Sequence, residues 1–306
     1  MLHFHSLNDA LPVFKALGAP MRIRILELLS EAGDKNLNDI AKALGLTNSA
    51  VSLHMKILEE AGLVSIHTTA GKRGSMKVCR PLHSSLLVDM FPRKAEDASC
   101  YEDEISIGCY SACQIRPTCG IATCREIIGE FDDPRYFLFP EHYQANVYWF
   151  GEGYVEYILP NHLTAGQKPR QISLSFEISS ESPGYNDDYP SDIQFYFNGI
   201  CLGQWISPGD YGLRKGRFTP AWWPPGCNQY GLLKTLTVNE KGTYIDGGSR
   251  ISGVTIHDLD LNYNSTFTFR FQVSPDSINC GGFTIFGKGA GDYNQDIIFK
   301  TYYCPQ

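Results

Sequence analysis

No stretch of the chain approaches the ~18 consecutive apolar residues of a helical membrane span, so the sequence is not read as a helical membrane protein. The opening residues MLHFHSLNDALPVF lack a basic region leading into an apolar run, which speaks against a secretory signal. Ten cysteines among 306 residues are too few for a disulfide-stapled scaffold. Charged residues make up only 19% against 43% hydrophobic, too little charge for a disordered polyampholyte and enough apolar material for ordinary cores. There is no glycine-rich phosphate loop, no nucleophile elbow and no H-E-x-x-H helix. Asp187-Asp188 and Asp258/Asp260 read as turn acids satisfied by solvent or backbone, and no catalytic residue is assigned. These absences leave the expectation of a folded, cytoplasmic protein that is not an enzyme, long enough for two domains.

The net charge of −7 argues at first against a nucleic-acid partner. Residues 1–94, however, hold 12 Lys+Arg and 8 Asp+Glu, net +4, whereas residues 95–306 hold 14 and 25, net −11. Hydrophobic periodicity changes from helical to strand spacing at the same place. The expected fold class is α+β multidomain. Residues 1–92 form the first domain, 93–134 a linker and cysteine-rich segment, and 135–306 an antiparallel β-sandwich of jelly-roll type. The acidity of the second part predicts that it is held away from phosphates.

In the first part Met21, Ile25, Leu28 and Leu29 fall on one helical face, entered through Pro20 and left at Gly33. Asn36 caps a second helix with Leu37, Ile40, Ala41 and Leu44 inward, ended by Gly45. Thr47 caps a third, with Val51, Met55 and Leu58 inward and Gly62 at its end. Leu63–His67 and Met76–Arg80 then read as strands around the basic tip Thr68–Ser75, a wing. The third helix offers Asn48, Ser49 and Ser52 to base edges in a major groove, with His54 and Lys56 further along. Phosphates fall to Lys56, Lys72, Arg73 and the helix start at Thr47.

The runs ALGAPMRIRILELL, LNDIAKALGLTNSAVSLHMKILEEAGLV and HTTAGKRGSMKVCR resemble the winged helix-turn-helix of ArsR-type transcriptional regulators, over roughly residues 10–90. The resemblance implies double-stranded operator DNA as partner, a repressor-like role, and a homodimer with half-sites about one DNA turn, ~34 Å, apart. Helical stretches at Leu7–Leu17 and Leu82–Phe91 are the implied pairing elements. The cysteine-rich metal box that the family's second helix often carries is absent from LNDIAKALGL.

Cys100, Cys109, Cys113, Cys119 and Cys124 fall within 25 positions. Cys109, Cys113, Cys119 and Cys124 would supply four soft ligands for zinc or an iron-sulfur cluster, making a metal or redox sensor. None forms a C-x-x-C knuckle, and buried apolar cysteines fit the segment as well.

The β-rich part alternates cleanly in Ile172–Ile178 and in Phe267–Val273. Its motifs WFGEGYVEYILPN, SDIQFYFNGICLGQWISPGDYG, TPAWWPPGCNQYGLLK and GGFTIFGKGAGDYNQDI resemble the sensor-like domain that accompanies such a helix-turn-helix in a group of bacterial regulators, which implies architecture and no ligand. Residues 205–230 concentrate Trp205, Asp210, Tyr211, Arg214, Trp222, Trp223, Asn228 and Tyr230. Aromatic faces beside polar hydrogen-bonders are what a saccharide site needs, and equally what a sandwich core or dimer interface uses. The expectation is a regulator whose β part senses a small molecule, a carbohydrate. The alternatives are sensing through the cysteines, or a DNA-tethered carbohydrate-active enzyme or dimerisation module.

Overall fold

The computed structural model describes residues 2–4, 6–71, 74–83, 86–88 and 99–304, and it divides into two compact units, Met1–Ala95 and Glu96–Gln306. The first unit runs β1 (Leu2–Phe4), α1 (Leu7–Leu17), α2 (Pro20–Ala32), β2 (Lys35–Asn36), α3 (Leu37–Leu44), α4 (Asn48–Glu60), β3 (Val64–Gly71), β4 (Gly74–Pro81) and β5 (Leu86–Val88). Each helix boundary has a local cause. The Asn36 side chain accepts the Asp39 N–H at 2.9 Å, and Gly45 closes α3 in the left-handed region at φ 65°. The Thr47 hydroxyl accepts the Ala50 N–H at 3.2 Å, and Gly62, at φ 70°, turns the chain from α4 into β3.

Val13, Ile25, Leu29, Ile40, Val51, Met55 and Leu58 meet in one buried cluster, which fixes α4 by its inner face and leaves its opposite face outward. Truncating Met55 or Leu58 to alanine removes packing worth about 2–5 kcal/mol. β3 and β4 form an antiparallel hairpin with β2 on its edge, the expected wing. The stretch expected as a closing helix at 82–91 differs: Leu86–Val88 pairs in parallel with Leu2–Phe4. The two short segments satisfy their backbone groups by pairing with each other.

The second unit contains β6 (Ser99–Ile105), β7 (Ala112–Ala122), β8 (Val147–Leu159), β9 (Lys168–Ser179), β10 (Ser191–Phe197), β11 (Ile200–Ser207), β12 (Leu232–Asn239), β13 (Gly242–Ile245), β14 (Ser249–Ser252), β15 (Phe267–Val273), β16 (Phe283–Phe286) and β17 (Ile297–Cys304). All twelve belong to one antiparallel sheet whose principal order is β11-β10-β15-β8-β16-β9-β12-β13-β14, with β7 on β8 and β17 carrying β6 beside β9. The sheet nearly closes on itself. β16 bonds to both β8 and β9 and joins the two halves, while β11 lies against β14 at the other end of the order. Gly203 permits that approach, because a Cβ there would stand 2.9 Å from the Ile251 carbonyl oxygen. Phe176, Phe195, Phe197, Phe269, Phe271, Phe283 and Phe299 fill the interior with edge and offset ring contacts.

Two sequence expectations are revised here. The segment 93–134, read as linker and cysteine-rich connector, contributes β6 and β7 to the sheet from Ser99 onward. Acidic and cysteine residues hid the alternation of SCYEDEI, whose inner residues face β17. The clean alternation of Ile172–Ile178 predicts that β9 is covered on one side alone. Both sides are covered in its second half, where Glu177 and Ser179 are fully buried with Phe176 and Ile178. Glu177 is the reason: its carboxylate accepts the backbone N–H groups of Gly231, Asp292 and Tyr293, each at 2.8 Å. Two long loops, 208–231 and 287–296, are thereby pinned over the outer side of β9. Among the described residues no helix is long and apolar enough to cross a membrane.

Candidate functional site

Two places carry chemistry, the outward side of α4 and a cleft in the β unit. On α4, Asn48, Ser49, Ser52 and Lys56 are exposed, and the last three share one helical face with Leu53. Leu53 is 62% exposed, a large apolar side chain amid short polar ones that the sequence reading passed over. Its period gave the signal, since it falls opposite Val51, Met55 and Leu58. Lys56 pairs with Glu60 at 3.7 Å, an exposed i,i+4 pair worth only tenths of a kcal/mol and therefore easily exchanged for a phosphate. Thr47 is occupied as the helix cap. His54 is half-buried on the flank, its Nδ1 enclosed without a hydrogen-bond partner, so it stands apart from the exposed face. Lys72 and Arg73, expected at the wing tip, lie outside the described residues.

The cleft has a volume of about 410 Å³, at the lower end of small-molecule sites. Four aromatic rings run along it in sequence. Phe131 meets Trp149 at 5.8 Å, Trp149 meets Trp223 edge-on at 5.7 Å, and Trp223 meets Trp222 at 5.4 Å. Trp149 stands on β8 opposite Gly120 of β7; a Cβ at Gly120 would come within 2.1 Å of the indole, so the glycine makes room for the ring. The two loop tryptophans are held by their N–H groups. Trp223 Nε1 donates to the Asn228 carbonyl and Trp222 Nε1 to the Cys124 carbonyl, both at 2.7 Å. Their exposure differs, 7% for Trp223 and 37% for Trp222, so the first is wall and the second is mouth.

Polar groups face the same space. Asn228 Nδ2 donates to Glu181 Oε2 at 3.2 Å and to Thr284 Oγ1 at 3.1 Å, and the Thr284 hydroxyl donates to Glu181 Oε2 at 3.1 Å. Burial and the nearby Asp210 charge push the Glu181 carboxyl well above the usual range, with Asp132 adding to the effect. Asp132 Oδ1 accepts the Cys119 N–H at 2.8 Å. Thr118 enters the lining where the β7–β8 ladder is interrupted between Arg116 and Cys119.

Of the eight residues expected to bind an effector, Trp222, Trp223 and Asn228 line this cleft. Asp210 stands behind it, fully buried, accepting the Ser182 N–H at 3.0 Å and the Ser182 hydroxyl at 3.2 Å, and burial pushes its carboxyl up to about 7. Tyr211, Arg214 and Tyr230 form a separate stack: the tyrosine rings lie 5.4 Å apart, Arg214 covers Tyr230 at 3.8 Å, and Arg214 forks onto Asp292. This stack fastens loop 208–231 to loop 287–296. Trp205 is elsewhere, packed at the edge of the core with Lys234 over its ring. Phe131, Asp132, Trp149 and Glu181 were missed. Trp149 sits within the quoted WFGEGYVEYILPN and Glu181 three residues before Gly184, but only the sheet brings them to residues 222–228.

The four cysteines expected to share a metal do not converge. Cys113 and Cys119 occupy the same strand six positions apart, roughly 20 Å in an extended chain, whereas zinc holds thiolates within ~2.3 Å of one centre. Burial pushes the Cys113 thiol up to about 11 and the Cys119 thiol up to about 12, away from the thiolate form a metal binds. The Cys124 thiol donates to the Gly289 carbonyl at 3.4 Å and Cys109 is exposed in a turn. Among the described residues no group of three or more His, Cys, Asp or Glu is placed to hold a metal ion.

Residues 19–65 match the arsR family of bacterial regulatory proteins. The chain is 40% identical over 55 residues to the transcriptional repressor SdpR of Bacillus subtilis, covering 18% of this chain and 60% of that protein. It is 40% identical over 57 residues to an uncharacterized HTH-type transcriptional regulator of Methanocaldococcus jannaschii, covering 19% of this chain and 64% of that one. The chain thus spans less than two thirds of each curated relative. A solution structure of a homodimeric winged helix-turn-helix DNA-binding domain from Mycobacterium bovis, described as a possible ArsR-family regulator, is 29% identical, with 24% of this chain and 65% of that chain covered and a TM-score of 0.22. The N-terminal unit therefore carries an ArsR-family winged helix-turn-helix regulator domain.

Proposed function

We propose that the ArsR-family domain binds operator DNA as a homodimer in the cytoplasm, and that the β unit is a receptor whose small-molecule ligand, a saccharide, sets the affinity for that DNA. One observation carries the DNA reading. α4 is locked into the core by Val51, Met55 and Leu58 and turns outward a face of Ser49, Ser52, Leu53 and Lys56, beginning at Asn48. Short hydroxyl and amide groups meet base edges, an apolar tip meets a thymine methyl, and Lys56 takes phosphate. Repression is the direction of control we propose, by similarity to the Bacillus subtilis transcriptional repressor SdpR.

Pairing of two copies is supported by α1. Leu7, Leu11 and Phe14 make an exposed apolar stripe at successive helical turns, the kind of surface that a second copy covers. The saccharide reading rests on the ring series Phe131–Trp149–Trp223–Trp222 beside Glu181, Asn228 and Ser182: rings stack on C–H faces while polar groups hold hydroxyls. Control requires that the ligand favour one of two states of different DNA affinity.

The test is a titration of operator DNA, selected from a random pool by the full chain, with and without an oligosaccharide panel. A glycan that binds by calorimetry and shifts the DNA midpoint supports the reading. Binding to no DNA above background would overturn the regulator part, and turnover of a bound glycan would make the β unit an enzyme in place of a receptor.

A further inference from the structure

The cleft lining is one-sided in charge. Glu181 and Asp132 face it, Asp210 stands behind Ser182, and none of the lining residues is Lys, Arg or His. Four aromatic rings supply much of the remaining wall, with Phe131 and Trp222 at the open side. No ion pair to Glu181, Asp132 or Asp210 is found among the described residues, although Arg and Lys elsewhere in this unit are matched with acids, as in Arg214–Asp292, Arg270–Glu156 and Lys288–Glu104.

From this we propose that the cleft takes an organic cation: a ligand that brings an ammonium group between the aromatic rings and the Glu181 and Asp132 carboxylates, as an amino sugar does. The inference rests on the β unit being a small-molecule receptor and narrows the saccharide class to amine-bearing members. Three observations converge on it. The negative faces of indole and phenyl rings attract a cation, most of all where water is reduced. Burial, and then the Asp210 and Asp132 charges, push the Glu181 carboxyl up, and an ammonium group beside it would offset those acid charges. The volume of about 410 Å³ admits a sugar-sized body together with its amine. An anionic ligand would meet two carboxylates and no compensating base. A neutral glycan would leave the acids as they are, and gains nothing from the missing cation.

The experiment is calorimetry of the full chain at pH 6 with three probes: a glucosamine tetramer, its N-acetylated neutral counterpart with the same backbone, and choline. Expected is binding of the amine tetramer at least tenfold tighter than its acetylated counterpart. Asp132→Asn, which keeps an acceptor for the Cys119 N–H and suits the left-handed backbone there at φ 61°, should weaken the amine tetramer at least fivefold and leave any binding of the neutral one unchanged. Glu181→Gln should act in the same sense, and unchanged melting shows that the fold is retained. Equal or tighter binding of the acetylated tetramer overturns the cation proposal while leaving the saccharide reading in place. Choline binding without either tetramer supports the cation and overturns the saccharide. Binding of none of the three overturns both.

Discussion

Trp223 and Asn228 hold one another in a closed arrangement: the indole N–H donates to the Asn228 carbonyl at 2.7 Å, while the Asn228 amide donates to Glu181 and Thr284 on the sheet side. The six loop residues 223–228 thereby become a fixed wall. Trp222, its chain neighbour, has its N–H on Cys124 and over a third of its surface in solvent.

Trp222→Ala and Trp223→Ala should consequently differ in kind. Trp223→Ala removes a buried ring and costs about 3–5 kcal/mol of stability. Trp222→Ala should leave the melting temperature within a few degrees of the parent and reduce ligand affinity at least tenfold. Paired melting and calorimetry decide it; equal destabilisation by both would place Trp222 in the scaffold. Gly120→Ala offers a third view, because its methyl displaces the Trp149 ring and should lower affinity with residues 222 and 223 both unsubstituted.

On α4, Asn48→Ala and Ser52→Ala should cost ~1–3 kcal/mol on the selected operator and little on random DNA. Lys56→Ala should weaken all sequences alike and reduce the salt slope by about one unit. Lys72→Ala and Arg73→Ala are expected to behave as Lys56→Ala does. Gel-shift titrations at several salt concentrations separate the two patterns, and losses of equal size on both DNAs for Ser52→Ala would remove it from base readout.

Leu11→Glu places a charge in the middle of the α1 stripe. Sedimentation of the full chain should show the variant as a monomer where the parent is a dimer, with operator affinity reduced at least tenfold because two half-sites are no longer bound together. A parent that sediments as a monomer at micromolar concentration would refute pairing through this helix.

Two buried carboxyls should each make a contribution to stability that falls as pH rises. Burial holds the Asp210 carboxyl at about 7 against an ordinary value of 3.8, and the Glu177 carboxyl at about 8 against 4.5. Both groups keep a proton in the fold where the unfolded chain has already released it, so each lowers stability by ~1.4 kcal/mol per pH unit between its unfolded and folded values. Below about pH 4 both states are protonated and the effect vanishes. Asp210→Asn should flatten the decline between pH 5 and 7 by about one proton's worth, read as the difference between parent and variant unfolding free energies. Parallel curves would show that Asp210 is ionised throughout.

The helix-turn-helix was legible because its signals are local. Asn36, Gly45, Thr47 and Gly62 announce their boundaries, and the inner faces follow a single period. β15 was equally plain, Phe267, Phe269 and Phe271 alternating with polar residues. β6 and β7 were not: β6 turns Cys100, Glu102 and Glu104 outward, and the alternation of β7 breaks at Pro117 and Thr118, so neither carries a clear apolar rhythm until a partner is known. The cleft was half legible. Trp222, Trp223 and Asn228 lie close together in the sequence and stand out by composition, but Phe131, Trp149 and Glu181 join them through sheet pairing across long separations, which no window of sequence encodes. Trp205 and Tyr211 were drawn in by proximity along the chain, a poor guide when a strand end and a loop diverge.

Glu177 gathers the N–H groups of Gly231, Asp292 and Tyr293 onto the oxygens of one buried carboxyl group, so the loops behind the cleft are set before any ligand arrives. Preorganisation of this kind removes the ordering entropy that a mobile loop charges on binding. Ligand association should then proceed in one kinetic phase, with a rate proportional to concentration and no slow isomerisation. The same three amide protons should exchange with solvent only on global opening of the β unit, which makes them reporters of its integrity even when the cleft is empty.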